Sequence, residues 1–505
     1  MTEATVADRR VHPGSIVLRF FKEAPSAVFG LPAAFAFFSK SNLWVVLGVA
    51  AAIGAVVVFV NWLGWRSFRY GVAAREIVIE SGILSRNRRS IPFDRVQDID
   101  IERGLLARMF GLAKVKIETG AGGKDEGVLD SVTVAEADRL RAAVRAWHAH
   151  GASLAQAAEP AEAEAVAAAA PAQEGRLLFA MDLKRVLVFG LFSFSLVYIA
   201  SLFALLQTFD QALPFDIYDP ARWVGLVEHN LPGRLTAAAI FFLLFLAVLL
   251  GIVAGLARTV ARDYGYQLLS EGSRFRRERG LFTRTEAVIA KARVQLALVS
   301  SGPIRGRFGW SGLFFQTLGA GSDGSGLQAA APFAKREEIA AILADGGALR
   351  LPPPPELTMV SSRHIVRAIV ASCAPALVAI LLGGFFFPPA LFLLTLLPLL
   401  GAAAALQRRF HRYALNGELL FIARGIWRQR LWILPVSNVQ AISVARSWLQ
   451  RRLGLATLSI DTAGAPLARG ARIVDVRRDL AEALAAEIAA GRRLHCSGRK
   501  SGTER

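Results

Sequence analysis

Residues 82–119 read GILSRNRRSIPFDRVQDIDIERGLLARMFGLAKVKIET. The same frame returns without a gap as GLFTRTEAVIAKARVQLALVSSGPIRGRFGWSGLFFQT at 280–317 and as GIWRQRLWILPVSNVQAISVARSWLQRRLGLATLSIDT at 425–462. Self-similarity at fixed offsets marks a repeated structural unit. The shared pattern is G-x8-[IL]-x4-V-Q-x13-G-x7-T. It is carried by Gly82, Ile91, Val96, Gln97, Gly111 and Thr119, then by Gly280, Ile289, Val294, Gln295, Gly309 and Thr317, then by Gly425, Leu434, Val439, Gln440, Gly454 and Thr462.

Around these anchors the chain alternates apolar and polar residues, as in REIVIESG, KVKIET, LLFIARG and TLSIDT, which is the period of a strand with one buried face. Glycines at fixed offsets suit turns that need a positive φ. Each copy closes on a helix-like segment, at 134–147, 334–343 and 476–490. The expected module is an α+β unit of about 80 to 90 residues, a β-sandwich or barrel capped by one helix.

The chain as a whole is too apolar for an ordinary globular protein of several domains: 54% of its 505 residues are hydrophobic and its mean hydropathy is +0.41. Four runs are long enough to cross about 30 Å of hydrocarbon: Leu43–Val60, Val186–Gln207, Ala237–Ala257 and Ala368–Phe387. Pro389–Leu406 is a fifth, with Pro398 tolerated where neighbouring helices re-satisfy the backbone, and the shorter Ala24–Phe38 completes three hairpins by parity. About six transmembrane helices are therefore expected, as hairpins at 24–65, 183–258 and 365–406, with an acidic external loop at 208–235. Modules follow at 66–148, 259–346 and 408–491. An Ala/Glu-rich linker (149–180), a Pro-rich linker (347–362) and a basic tail (492–505) fill the remainder.

Fifty-nine Lys+Arg against 40 Asp+Glu give a formal charge of +19, and the cations cluster beside the helix ends, including Arg66, Arg69, Lys184, Arg185, Arg258, Arg262, Arg363, Arg367, Arg408 and Arg409. By the positive-inside rule the N-terminus and all three modules face the cytoplasm. The start of the chain lacks the pattern of a secretory signal. Cys373 and Cys496 make neither a disulfide framework nor a thiolate metal site.

The run of glycine, IPFDRVQDIDIERGLLARMFGL, a strand and TGAG resembles the bacterial pleckstrin-homology (PH) domains of the YdbS- and YdbT-like membrane proteins, in which helical hairpins alternate with such domains. The resemblance covers roughly 66–148, 259–346 and 408–491, and the order of hairpins and modules is similar to the YdbT type. It implies a protein of the bacterial inner membrane, anchored by its hairpins and without known catalysis, and specifies no ligand. The second copy departs from the others: Ala290 replaces Pro92 and Pro435, and Gly306 replaces Arg108 and Arg451.

Signals of chemistry are weak. Gly319, Gly321 and Gly324 match G-x-G-x-x-G, but a dinucleotide site also needs a βαβ unit, and the repeat register places them in a hairpin loop. The seven histidines show no ligand spacing beyond His148 and His150. No nucleophile elbow, P-loop or zinc-protease motif occurs, so neither an enzyme nor a bound cofactor or metal is expected. Gln97, Gln295 and Gln440 suit backbone satisfaction beside a strand. No acid lies deep in a span, which removes the usual signature of an ion-coupled transporter.

The functional signal that remains is basic: Arg86, Arg88 and Arg89 in the first copy, Arg274, Arg276, Arg277 and Arg284 in the second, and Arg428 and Arg430 with Trp427 in the third. Guanidinium forks suit phosphate, and tryptophan suits the membrane interface. The expected partners are the bilayer and its anionic phospholipid headgroups, with other membrane proteins or self-association beside them and no nucleic acid. The expected role is a membrane-associated scaffold. The alternative is a transport or efflux component moving a lipid or an amphipathic peptide.

Overall fold

The computed structural model describes residues 9–16, 18, 43–72, 76–82, 87–119, 127–156, 175–193, 233–317, 326–347, 349–352, 357–463 and 471–501. Three copies of one strand–strand–strand, strand–strand–strand, helix unit follow one another. The first holds β1 (Arg69–Val72), β2 (Glu76–Ser81), β3 (Asn87–Pro92), β4 (Val96–Arg103), β5 (Leu112–Thr119) and β6 (Val128–Thr133), then the helix Val134–Gln156. The second holds β7 (Arg176–Ala180), β8 (Gln267–Glu271), β9 (Arg274–Arg279), β10 (Arg284–Ala290), β11 (Val294–Ser301), β12 (Ser311–Thr317) and β13 (Leu327–Ala334), then the helix Arg336–Asp345. The third holds β14 (Thr358–Met359), β15 (Arg412–Asn416), β16 (Leu419–Arg424), β17 (Gln429–Pro435), β18 (Val439–Ala445), β19 (Leu455–Thr462) and β20 (Ala471–Arg477), then the helix Arg478–Ser501.

The repeated anchors have local causes. All six anchor glycines have positive φ, from +64° at Gly111 to +116° at Gly82, where an L side chain is strained. At Gly280 and Gly425 an added Cβ would also collide with the carbonyl oxygens of Thr283 and Arg428. The Val-Gln pair marks a β-bulge in every copy: register slips between Val96 and Asp98, Val294 and Leu296, and Val439 and Ala441. The repeated glutamine is thus the extra residue of a bulge, a device that bends a strand and raises its twist. Opposite each bulge stands the repeated threonine, with Thr119 facing Val96, Thr317 facing Val294 and Thr462 facing Val439.

The sandwich or barrel read from the sequence does not stop at the module boundary. The sheets run β1-β2-β3, then β6-β5-β4-β10-β9-β8-β7, then β13-β12-β11-β17-β16-β15-β14, then β18-β19-β20. The second half of one module therefore continues, edge to edge, into the first half of the next. The junctions keep one register in repeat terms: Arg103 pairs with Arg284 and Glu102 with Thr285, as their counterparts Ser301 and Ser300 pair with Gln429 and Arg430. The cores follow the sheets. The second module's core takes in Leu419, Phe421 and Ile433 of the third, and the third's takes in Leu296 and Leu298 of the second. Residues 176–180 and 358–359, read from sequence as linker, extend the sheets as β7 and β14.

Among the described residues two helices, rather than about six, are long and apolar enough to cross a membrane: His364–Phe386 and Pro388–Phe410, each with few buried residues. Pro388 and Pro389 start the second as a 3-10 turn that becomes α-helix at Leu397. The run Leu43–Val60 lies in the helix Leu43–Ser67, and Ala237–Ala257 in the helix Gly233–Asp263. Ala24–Phe38, the run from 186 beyond Ser193 and the connection up to residue 232 lie outside the described residues. So do much of the linker at 149–180 and the loop of Gly319, Gly321 and Gly324. Helices Leu183–Leu191 and Gly233–Asp263 meet through Gly190 and Gly255, where a Cβ would strike Leu256 and the Ser193 carbonyl, the small-residue contact typical of helices in lipid.

The helix bases are bolted to the modules. Asp182 caps the helix Leu183–Leu191 by accepting the Arg185 N–H at 3.2 Å. Arg185 donates to Glu338 at 2.9 Å and to the Phe333 carbonyl at 3.0 Å, and its guanidinium lies 5.0 Å from the Trp310 ring centroid. At the third module, buried Asp475 accepts from Gln450 at 2.7 Å and from Arg367, and lies 2.5 Å from His364 Nδ1. Cations that flank the apolar runs in sequence are thereby turned toward the sheets.

Candidate functional site

The three basic clusters of the sequence have different surroundings. Arg86 lies outside the described residues. Arg88 and Arg89 are exposed on β3, where Arg88 lies 3.6 Å from Glu80, an exposed pair that solvent and salt weaken.

In the second module Arg276 and Arg284, on β9 and β10, are paired with carboxylates. Arg276 meets Glu278 at 2.8 Å, Glu286 at 2.9 Å and Glu271 at 3.3 Å. Arg284 meets Glu278 at 2.5 Å, and Arg277 is buried, donating to the Ala329 carbonyl at 2.9 Å. Arg274 sits half-buried at the start of β9. Glu286 also receives Arg141 across the first junction at 2.6 Å. This cluster holds the first two modules together instead of presenting charge.

The third cluster opens on a cavity. Trp427, Arg428 and Arg430 occupy the turn and first residues of β17, and the β11–β17 junction brings them against Arg305 of the short helix Pro303–Arg307. The space measures about 860 Å³, and among the described residues its lining contains three arginines and no carboxylate. Leu298, Phe314 and Trp432 form its apolar wall, while Leu191, Phe192 and Ser193 bring to it the end of the helix Leu183–Leu191. Arg305 donates one guanidinium N–H to the Ser300 carbonyl at 2.6 Å, but its buried Nε has no partner among the described residues. Burial first, and then the neighbouring Arg428 cation, push the pKa of Arg305 down. A half-buried, half-satisfied cation beside a second cation is disfavoured unless an anion enters.

The equivalent positions at the first junction are Ala107, Thr283, Thr285 and Ala287 in place of Arg305, Arg428, Arg430 and Trp432. One junction is therefore closed by ion pairs and the other left cationic and hollow. Arg305 escapes a sequence reading because it stands alone between glycines, far in the chain from Arg428. A second group of residues could have been read from the repeat. The short helices that follow β4, β11 and β18, namely Leu105–Met109, Pro303–Arg307 and Trp448–Leu453, all present exposed apolar side chains. Leu105, Met109, Ile304 and Trp448 are each at least half exposed, and Arg108, Arg305, Arg307, Arg451 and Arg452 accompany them.

Two contacts place these turns beside the apolar helices. Phe308 packs on Phe192 with ring centroids 6.2 Å apart. Arg363, next to the helix His364–Phe386, donates to the Leu453 carbonyl at 2.8 Å. The Arg452 guanidinium sits 5.6 Å from the Trp448 ring centroid. Exposed aromatic and aliphatic groups mixed with arginine are what a membrane interface accommodates. The repeated glutamines and glycines, by contrast, serve the bulges and turns described above.

The bacterial PH domain family model matches residues 26–147, 221–345 and 365–492. The chain is 28% identical over 321 residues to the transmembrane protein YdbT of Bacillus subtilis, covering 62% of this chain and 63% of that protein. It is 36% identical over 98 residues to the transmembrane protein YdbS of Bacillus subtilis, covering 19% of this chain and 60% of that protein. The matched part thus spans less than two thirds of the length of either relative. No solved structure matches.

Proposed function

The chain belongs to the bacterial PH domain family, and from that premise we propose that it is a multi-pass inner-membrane protein whose three PH-like modules form a non-enzymatic scaffold on the cytoplasmic leaflet, holding an anionic phospholipid headgroup between the second and third modules. The observation that carries this reading is the cavity of Arg305, Arg428 and Arg430, lined by these cations and by apolar side chains, beside the end of an apolar helix. A lipid phosphate would satisfy the buried Arg305 Nε and screen Arg305 from Arg428, while its acyl chains leave past Ile304 and Phe192. The exposed apolar turns after β4, β11 and β18 would rest in the interface, and the hairpins would supply about six crossings in all.

Each cation near an anionic leaflet contributes about 1 kcal/mol, so replacing Arg305 and Arg428 together removes about 2 kcal/mol, roughly a thirty-fold loss of affinity. The test is native mass spectrometry of the full chain in detergent, titrated with short-chain phosphatidylglycerol or with phosphatidylcholine. The wild type should retain one phosphatidylglycerol in preference to phosphatidylcholine, and Arg305→Gln/Arg428→Gln should lose that preference. Equal retention of both lipids, or an unchanged preference in the double variant, would refute the assignment.

A further inference from the structure

The sheet order leaves two edges open. β3 has no neighbour beyond β2, and β18 has none beyond β19, among the described strands. These are the strands that the repeat says should be paired. β3 is the first copy's counterpart of β10 and β17, and β18 is the third copy's counterpart of β4 and β11. Inside the chain β4 pairs with β10 and β11 with β17, both antiparallel and in one repeat register. We infer that β18 of one chain pairs with β3 of a second copy, so that the protein assembles head to tail by the same edge contact that joins its own modules.

Carrying the internal register across predicts the pairing residue by residue. Ser300 opposite Arg430 becomes Ala445 opposite Asn87, Val299 opposite Leu431 becomes Val444 opposite Arg88, and Leu298 opposite Trp432 becomes Ser443 opposite Arg89. Exposure follows position in the array. Ile101, on β4 at the first junction, is 4% exposed, whereas its counterpart Val444 on β18 is 40% exposed. Ala287 and Trp432 are buried at the two junctions, whereas their counterpart Arg89 is exposed on β3.

Isolated edge strands are usually blunted by charge, proline or brevity, because their unpaired N–H and C=O groups template association. β18 carries none of these devices: Val439–Ala445 reads VQAISVA over seven residues, without charge or proline. The arginines of β3 do not forbid pairing, since β10 carries Arg284 and β17 carries Arg430 and both are paired. A head-to-tail contact uses two different surfaces, so copies close into a ring or extend as a filament, and strand addition at an edge is an established mode of recognition. The inference does not depend on the lipid reading.

The test is site-directed cross-linking of the full chain in native membranes, in a Cys373→Ser/Cys496→Ser background. Two differently tagged chains are co-expressed, one with Ser443→Cys and the other with Arg89→Cys. A third variant carries Glu102→Cys/Thr285→Cys, an internal pair already facing across β4 and β10, and should close within the chain, reporting that folding and oxidation are intact. The end pair should give a mixed dimer in comparable yield, and Ser443→Cys with the out-of-register Asn87→Cys should give far less. Ser443→Arg, which faces Arg89 with a like charge, should weaken association roughly two- to five-fold, and adding Arg89→Glu should restore it. The inference is overturned if the internal pair closes while the end pair does not, or if the two end registers cross-link equally. It is also overturned if one chain carrying both end cysteines closes on itself without forming dimers.

Discussion

Acid should loosen the third module from its membrane helices, and His411 sets the pH at which this begins. The ring follows directly on the helix Leu397–Phe410 and is 2% exposed. It accepts the Val474 N–H at Nε2 over 3.4 Å and lies edge-on to His364 with centroids 6.0 Å apart. Burial, and then the Arg424 cation, push its pKa down to about 3. An unfolded histidine titrates near about 6.5, so below that value the unfolded state binds the proton first. The penalty on the folded state then grows by about 1.4 kcal/mol per pH unit, to about 2 kcal/mol at about pH 5 and toward about 5 kcal/mol near pH 3. Asp475 adds to the loss only at lower pH. Burial opposes its charge, but hydrogen bonds from His364, Gln450 and Arg367 hold its carboxyl below the ordinary range, so its contribution is complete above about pH 4 and fades below. Over the interval from about pH 6.5 to about pH 4.5 the His411 penalty thus grows before the Asp475 contribution begins to fade.

Thermal unfolding of the full chain in lipid nanodiscs reads this directly. Between neutral pH and about pH 5 the wild type should lose about 2 kcal/mol, about 8–16 °C for a module of this size. His411→Gln keeps an acceptor for the Val474 N–H and removes the titrating group, so its profile should be flatter by that amount. Parallel loss of stability in the two proteins over this interval would show that His411 does not set the acid limit.

Three further outcomes are expected. Asp475→Asn keeps a residue type that tolerates the +63° φ at this position but removes the charge that Arg367 faces, and should cost about 2–4 kcal/mol, read as faster amide exchange in β20 and at the start of the helix His364–Phe386. Gly425→Ala forces a Cβ into the Arg428 carbonyl and strains a positive φ, so it should cost at least about 1–3 kcal/mol and also lower phosphatidylglycerol retention, because the turn positions Arg428; unaltered retention would count against that turn as part of the site. Arg141→Met leaves Glu286 its bond to Arg276 alone at the first junction and should cost about 1–3 kcal/mol, measured by denaturant unfolding, while lipid preference at the second junction stays as in the wild type.

The division between sequence and structure follows the range of the forces involved. Local forces write themselves into the chain. A glycine that must take positive φ leaves Gly82, Gly280 and Gly425 in step, a bulge leaves Gln97, Gln295 and Gln440, and the apolar length needed to cross lipid leaves His364–Phe386 and Pro388–Phe410. From these the repeat, its β character and its alternation with apolar helices could be read without coordinates, and the family comparison agrees with that reading. Two things could not. Which edge joins which is settled by backbone hydrogen bonds, which carry no residue identity, between strands far apart in the chain. The three arginine clusters look alike in sequence, yet Arg276 and Arg284 are cancelled by Glu271, Glu278 and Glu286 across the strands, while Arg428 meets a second cation, Arg305, across the junction. Charge at a site is a sum over neighbours in space, and only the folded sheets assemble those neighbours.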